Sequence, residues 1–243
     1  MTGASPGLVD EASVLIVGGG PAGLAAATEL RRRGVEGVVV LERERDAGGI
    51  PRHASHQGFG IRDLHIPMSG PRYARRCATT ARAAGAEILT ETMVTRWSPN
   101  GPMEITGPRG RWSVNPNAVL LATGCRERPR SARFVPGTRP QGVMTTATLQ
   151  QLVYLERRRL NGGGLIVGAE HVSFSAVATL AHGGARPIGL VTELPRHQSL
   201  GPFRAGARIR HGARLWSRTR VTAIAGEHSG EEVERTELES GEA

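Results

Sequence analysis

Residues 14–42 read VLIVGGGPAGLAAATELRRRGVEGVVVLE, and no other stretch of the chain constrains its fold as strongly. Val14–Val17 is an apolar, largely β-branched run fit for a buried parallel strand. Gly18, Gly20 and Gly23 then give G-x-G-x-x-G at the mouth of a helix. The first glycine permits a tight turn, the second lets backbone approach a pyrophosphate, and the third lets the helix pack close to the strand. N–H groups at the start of that helix, around Pro21 and Ala22, attract phosphate oxygens with help from the helix dipole. Leu24, Ala27 and Leu30 recur at helical spacing, Arg31–Arg33 suit the C-terminal turn, and Gly34 provides the stop. A second strand, Val38–Leu41, ends in Glu42, an acid that can accept from both hydroxyls of a ribose. A lone glycine motif would say little. Strand, helix, strand and terminal acid in register predict an adenine-dinucleotide site.

A second unit of the same outline follows Gly162–Gly164. Leu165–Val167 predicts a strand, and Gly168 keeps the first turn position. Glu170 stands where the second glycine belongs, and Ser173 replaces the third. A carboxylate at the point of closest approach crowds and repels a pyrophosphate, whereas serine is small enough for fairly close packing. The helix runs to a stop at His182–Gly184. The next strand, Pro187–Thr192, leads to Glu193, which suits a ribose diol and opposes the extra phosphate of NADP. The expectation is a unit that keeps the fold without ordinary NAD(P) binding.

After Glu42 the chain continues RERDAGGIPRH, with Gly48 and Gly49 in a loop. Ala118–Leu121 reads as another buried strand, followed by A-T-G at Ala122–Gly124. On these residues the sequence resembles the pyridine nucleotide-disulfide oxidoreductase superfamily of flavoproteins with two dinucleotide domains. The segments GGIPRH (48–53), GFGIRDLH (58–65), ATGCRERPR (122–130) and PGTRPQGVMTTATLQQLV (136–153) are similar to a narrower group. That group is the FAD-binding α subunits of heteromeric opine, proline and hydroxyproline dehydrogenases and hydrogen cyanide synthase. The resemblance runs from about Val14 to the last residue.

The resemblance implies FAD on the first unit. The glycine turn and helix start (Gly18, Gly20, Pro21, Ala22, Gly23) would hold it, together with Glu42 and Arg43. Gly49, Val94, Thr123 and Gly124 would complete the contacts. It also implies two partners, one a second flavoprotein subunit and the other a small iron–sulfur subunit. The substrate it implies is an amine or opine. For the second unit it offers ATP as an alternative to NAD(P).

Cys77 and Cys125 match no C-x-x-C or metal-ligand spacing. One thiol cannot cycle as a disulfide by itself, so electrons are expected to pass through flavin without a redox disulfide. The alternative is a non-catalytic nucleotide-binding structural subunit or a truncated remnant. No catalytic residue is assigned. Arg52 and His53 lie near flavin or pyrophosphate, or else bond to loop backbone. Arg126, Arg128 and Arg130 pair with phosphates or face solvent. His56, His65 and His171 show no metal spacing. Leu152–Leu160 reads as a packed surface helix.

The net charge of +9 over 243 residues comes entirely from arginine, since lysine is absent. The arginines are scattered and accompany no nucleic-acid module, so no nucleic-acid partner is expected. No apolar run reaches a membrane-spanning length, and MTGASPGLVDEAS lacks a basic region followed by an apolar core. A cytoplasmic protein is expected.

The predicted fold class is α/β, with two Rossmann-like units and a small β-meander at Glu87–Val94, Met103–Thr106 and Trp112–Val114. The FAD-binding domain is placed at 1–150 and a partial second domain at 151–243. The C-terminal segment predicts a turn at Ser229–Gly230, a strand at Glu231–Leu238 and a turn at Ser240–Gly241. It reads as a hairpin cut short. In the resembled family the chain continues with a T-G-D-like flavin-contacting segment, so this chain is expected to be an N-terminal portion with weakened FAD affinity.

Overall fold

The computed structural model describes residues 12–97, 101–226 and 235–240. They form two compact units that divide between Cys125 and Arg126. The sequence predicts that boundary after residue 150. Segment 126–150 belongs to the second unit because it bonds to the strand Thr219–Ala225 and its end: Ile224 N–H donates to Pro136 O, and Thr138 exchanges hydrogen bonds with Gly226.

The first unit runs β1 (Val14–Val17), α1 (Pro21–Arg32), β2 (Val38–Leu41), a 3₁₀ turn (Ile50–His53), β3 (Gln57–Phe59), β4 (Met68–Ser69) and α2 (Gly70–Ala83). It continues with β5 (Glu87–Leu89), β6 (Met93–Trp97), β7 (Met103–Gly107), β8 (Gly110–Val114) and β9 (Ala118–Leu121). A parallel sheet has the order β5-β2-β1-β9, beside an antiparallel meander β6-β7-β8 and a small β3–β4 pair. Strand alternation divides the core. Ile16, Val38 and Val40 pack with Leu24, Ala27, Ala78 and Ala81 of the helices, while Leu15, Val39 and Leu41 pack with Met103, Ile105 and Val114 of the meander. The sheet is therefore a middle layer. Each fully buried Leu or Ile of this kind contributes about 1.5–3 kcal/mol.

Two strand expectations change. Residues 87–94 are not one strand: Glu87–Leu89 joins the parallel sheet, and the chain turns at Glu91 (φ 53°) before Met93–Trp97 begins the meander. The sequence predicts a buried strand at Ala118–Leu121, yet β9 pairs only with β1 among the described residues and leaves Leu121 57% exposed.

The second unit contains a 3₁₀ turn (Arg130–Arg133), α3 (Thr146–Gln150), β10 (Gly163–Val167), α4 (His171–Gly183) and β11 (Arg186–Val191). It continues with α5 (Gly201–His211), β12 (Arg214–Trp216), β13 (Thr219–Ala225) and β14 (Arg235–Ser240). Strands β10-β11-β12 form a parallel sheet, and β13–β14 an antiparallel pair. Ile166, Leu190, Phe174, Val177 and Leu180 centre the core.

The expected helix at 152–160 is not formed. Thr145 caps α3, a π-helical turn occupies Gln151–Leu155, and Arg157 (φ 55°) ends the winding. Strand β10 starts at Gly163 rather than Leu165. Its glycines serve packing: a Cβ on Gly164 would stand 2.5 Å from Leu180 Cδ1. The predicted turns at 229–230 and 240–241 and the start of the strand at 231–234 fall wholly or partly outside the described residues.

Candidate functional site

The first glycine turn is shaped by what its glycines touch. Gly18 adopts φ +112°, and a Cβ there would lie 2.3 Å from Ala122 O. A Cβ on Gly23 would lie 2.0 Å from Gly18 O and 3.2 Å from Ile16 Cγ2, so this position fixes the approach of α1 to β1. Gly20 differs. The nearest atom to a Cβ there is Gly49 Cα at 4.0 Å, which leaves open space in front of the turn. Gly20 caps α1, with Pro21 in the first helical turn and Ala22 exposed beside it.

Glu42 is 7% exposed and sits against this turn. Its Oε2 accepts from Gly19 N–H at 3.0 Å and its Oε1 from Glu44 N–H at 2.9 Å. Each carboxylate oxygen keeps a further acceptor direction for a ribose hydroxyl. Gly48 N–H donates to Gly19 O at 2.7 Å, which lays the Gly48–Gly49 loop alongside the turn. A Cβ on Gly49 would come within 2.9 Å of Gly20 Cα. Arg52 Cγ lies 3.1 Å from where a Gly48 Cβ would be, and Arg52 Nε is buried with no hydrogen-bond acceptor. Its Nη2 is 3.8 Å from Glu44. An open turn, a buried acid and a cation with an unused N–H fit an adenine dinucleotide bearing a pyrophosphate.

The remaining expected positions divide. Thr123 Cα approaches Gly18, and Gly124 follows in a left-handed conformation (φ +71°), so A-T-G does border the turn. Arg43 is exposed and pairs with Glu44 at 3.5 Å. Val94 packs its side chain against the core cluster of Leu15 and Ile105. His53 is buried in the 3₁₀ turn. Arg128 faces solvent, one of the two outcomes expected, whereas Arg130 is half-buried against backbone carbonyls. Arg128 donates to Ala132 O, and Arg130 donates to the carbonyls of Val135, Pro136 and Thr138. Arg126 is exposed. His56 lies tilted against Phe59 and His171 edge-on to Phe203, and no metal-holding group occurs among the described residues.

On α2, burial first, and then Asp63, push the Cys77 thiol up, while its hydrogen bond with Tyr73 opposes the rise. Burial and a 2.6 Å bond to Asp63 push the Tyr73 hydroxyl up as well.

The second unit repeats the first with a constant displacement of 150 residues, 168 against 18 and 192 against 42. Gly18 N–H donates to Leu41 O at 2.9 Å, and Gly168 N–H donates to Val191 O at 2.8 Å. Gly48 N–H reaches Gly19 O, and Gln198 N–H reaches Ala169 O. The counterpart of Glu42 is therefore Thr192, not Glu193. Thr192 is equally buried (7%), and its hydroxyl accepts from the N–H two residues on, as the Glu42 carboxylate does. Glu193 is exposed on the rim of a 140 Å³ cleft that Gly168, Glu170, Thr192 and Arg220 also line. Sequence reading missed Thr192 because an acid one position later drew attention. The constant spacing was the available clue.

Each unit thus sets a glycine turn between a parallel strand and a helix, the arrangement of the FAD/NAD(P)-binding oxidoreductase fold. The sequence profile described as Pyridine nucleotide-disulphide oxidoreductase matches residues 12–243, and the chain belongs to this family of FAD-dependent oxidoreductases.

Over 238 residues, 90% of this chain and 23% of the relative, it is 30% identical to the alpha subunit of sarcosine oxidase from Corynebacterium sp. (strain P-1). It is 27% identical to the A subunit of opine oxidase from Rhizobium meliloti (strain 1021), over 73% of this chain and 38% of that one. It is 32% identical to the HcnB subunit of hydrogen cyanide synthase from Pseudomonas aeruginosa, over 72% of this chain and 37% of that one. The chain spans well under half the length of each of these relatives. The opine and hydrogen cyanide relatives match the group that the sequence resembles; the sarcosine oxidase relative extends it. Lactococcus lactis thioredoxin reductase shares the fold, with a TM-score of 0.67 at 14% identity over 94% of this chain and 71% of that one.

Proposed function

We propose that this chain is the FAD-holding part of a multisubunit oxidoreductase acting on an amine, opine or amino-acid-type substrate. The observation that carries the reading is the joining of Glu42 to the open glycine turn through Gly19 N–H, beside the Gly48–Gly49 loop. FAD, when bound, supplies an acceptor for a hydride from a C–H bond next to an amine. Glu42 would hold the adenosine ribose. The start of α1 and Arg52 Nε would face the pyrophosphate, and Thr123 and Gly124 would border it.

Both cysteines are free, Cys77 half-buried on α2 and Cys125 exposed, which supports electron flow without a disulfide. The relatives are each named as one subunit of a larger enzyme, which supports heteromeric partners. In this reading the partners are a second flavoprotein subunit plus a small iron–sulfur subunit. No helix of the described residues is long and apolar enough to cross a membrane, and we place the protein in the cytoplasm.

The test is the visible absorbance spectrum of the purified chain, with bound flavin released and quantified. Near-stoichiometric FAD is expected, either as purified or after reconstitution. Soluble, folded protein that FAD does not reconstitute would reduce the chain to a non-catalytic structural subunit or remnant.

A further inference from the structure

Three positions that form the dinucleotide site of the first unit carry different residues in the second: Gly20 becomes Glu170, Gly23 becomes Ser173 and Glu42 becomes Thr192. These changes are not independent in space. Glu170 is the N-cap residue of α4, the end of the helix that favours negative charge, and its carboxylate turns to Ser173 rather than capping the helix N–H groups. Ser173 is buried at 4%, and its hydroxyl donates to Glu170 Oε2 at 2.9 Å. That same oxygen lies 2.6 Å, and Ser173 Oγ 2.8 Å, from where a Cβ on Gly168 would be. The pair therefore lies against Gly168 of the second glycine turn, where Ala122 O lies against Gly18 of the first, and Glu170 carries a side chain where Gly20 has none.

We infer that Glu170 is the resident anion of the second glycine turn, held there by Ser173 in place of a ligand phosphate. Together with Thr192, it makes the second unit refuse NAD(H), NADP(H) and ATP alike. The refusal is steric as well as electrostatic. A carboxylate already stands beside the helix terminus, and a neutral hydroxyl has replaced the ribose-binding acid. The backbone link of the turn to the next strand is kept, with Gly168 at φ +129° and its N–H bonded to Val191. Restoring the first unit's residues should therefore restore a site without rebuilding the fold.

The experiment titrates NADH and ATP into the full chain and into the triple variant E170G/S173G/T192E. The wild type is expected to show no saturable binding of either nucleotide up to about 1 mM, and the triple variant to bind NADH at least about tenfold more tightly than that. E170Q should gain less than the triple variant, because an amide fills the same space and still accepts from Ser173 but no longer repels a phosphate. A wild-type Kd below about 100 μM for either nucleotide overturns the inference. So does a triple variant with native circular dichroism that gains nothing, and so does an E170Q gain equal to that of the triple variant.

If the triple variant does not fold, the wild type decides. An unchanged melting temperature at about 1 mM NADH or ATP supports the inference, and a rise of several degrees overturns it. The flavin content of the same wild-type preparation tests the first unit separately, so the two readings can fail independently.

Discussion

Glu42 Oε2 accepts a hydrogen bond from Gly19 N–H at 3.0 Å, so the acid at the end of β2 is locked to the middle of the glycine turn. Glu42→Ala leaves two buried or half-buried N–H groups without their acceptor, at a cost of about 1–3 kcal/mol in stability. Flavin affinity should fall at least about tenfold, since a charged hydrogen bond to ribose is lost with it. Glu42→Gln, which keeps an acceptor oxygen, should recover most of the stability and less of the affinity. Chemical unfolding and a flavin titration separate the two effects.

Gly20 and Gly23 make opposite predictions although they belong to one motif. A methyl group at Gly23 meets Gly18 O at 2.0 Å, so Gly23→Ala should destabilise the fold by about 1–3 kcal/mol. At Gly20 the space is open and φ is −76°, so Gly20→Ala should change stability by less than about 0.5 kcal/mol. It should still deplete bound flavin, because the methyl stands in the path of the pyrophosphate. Melting temperature and flavin content of both variants check this. A Gly20→Ala protein with full flavin would remove the phosphate role from that position.

Arg130 links the carbonyls of Val135, Pro136 and Thr138 through one guanidinium group. Arg130→Ala should lower the stability of the second unit by about 2 kcal/mol, and Arg130→Lys should restore less than half of that because an ammonium lacks the planar fork. Urea unfolding followed by the fluorescence of Trp216, in a background with Trp97→Phe and Trp112→Phe, reads the loss.

The two thiols should react at very different rates. Cys125 is exposed, whereas burial pushes the half-buried Cys77 thiol up and keeps it protonated, so a maleimide should modify Cys125 first. The linkage sign follows from the same shift. The folded chain holds the Cys77 proton more tightly than the unfolded chain, so this contribution is complete below about pH 8.5, the ordinary thiol range. It is lost as pH rises from there through the folded value. Cys77→Ala should flatten that alkaline fall in melting temperature, and an unchanged slope would exclude the thiol as its source.

Much of the first unit was legible because its signals are local. The periodicity of Val14–Val17, the helix face of Leu24 and Ala27, and the acid after Leu41 each report on their own neighbourhood. What escaped was set by partners distant in sequence. Nothing within 87–94 announces that its two halves join different sheets, since the break depends on Glu91 and Thr92 bonding back to Glu44 and Glu42. The exposure of β9 depends on which strands flank it, not on its four apolar residues. The role of Arg130 escaped because charge is visible in a sequence and the carbonyls of Val135, Pro136 and Thr138 that it bonds are not. The Glu170 substitution was visible, but its bond to Ser173 needed the helix between them.

The displacement that relates the units makes the chain its own control experiment. Paired positions share one genome, one solvent and one folding history, so differences between them isolate what a ligand demands from what a backbone demands. Gly18 and Gly168 agree because turning the chain there requires glycine whatever is bound. Glu42 and Thr192 share one duty, accepting from the N–H two residues on, and differ in that the carboxylate has a second oxygen that reaches back to Gly19 at the open turn.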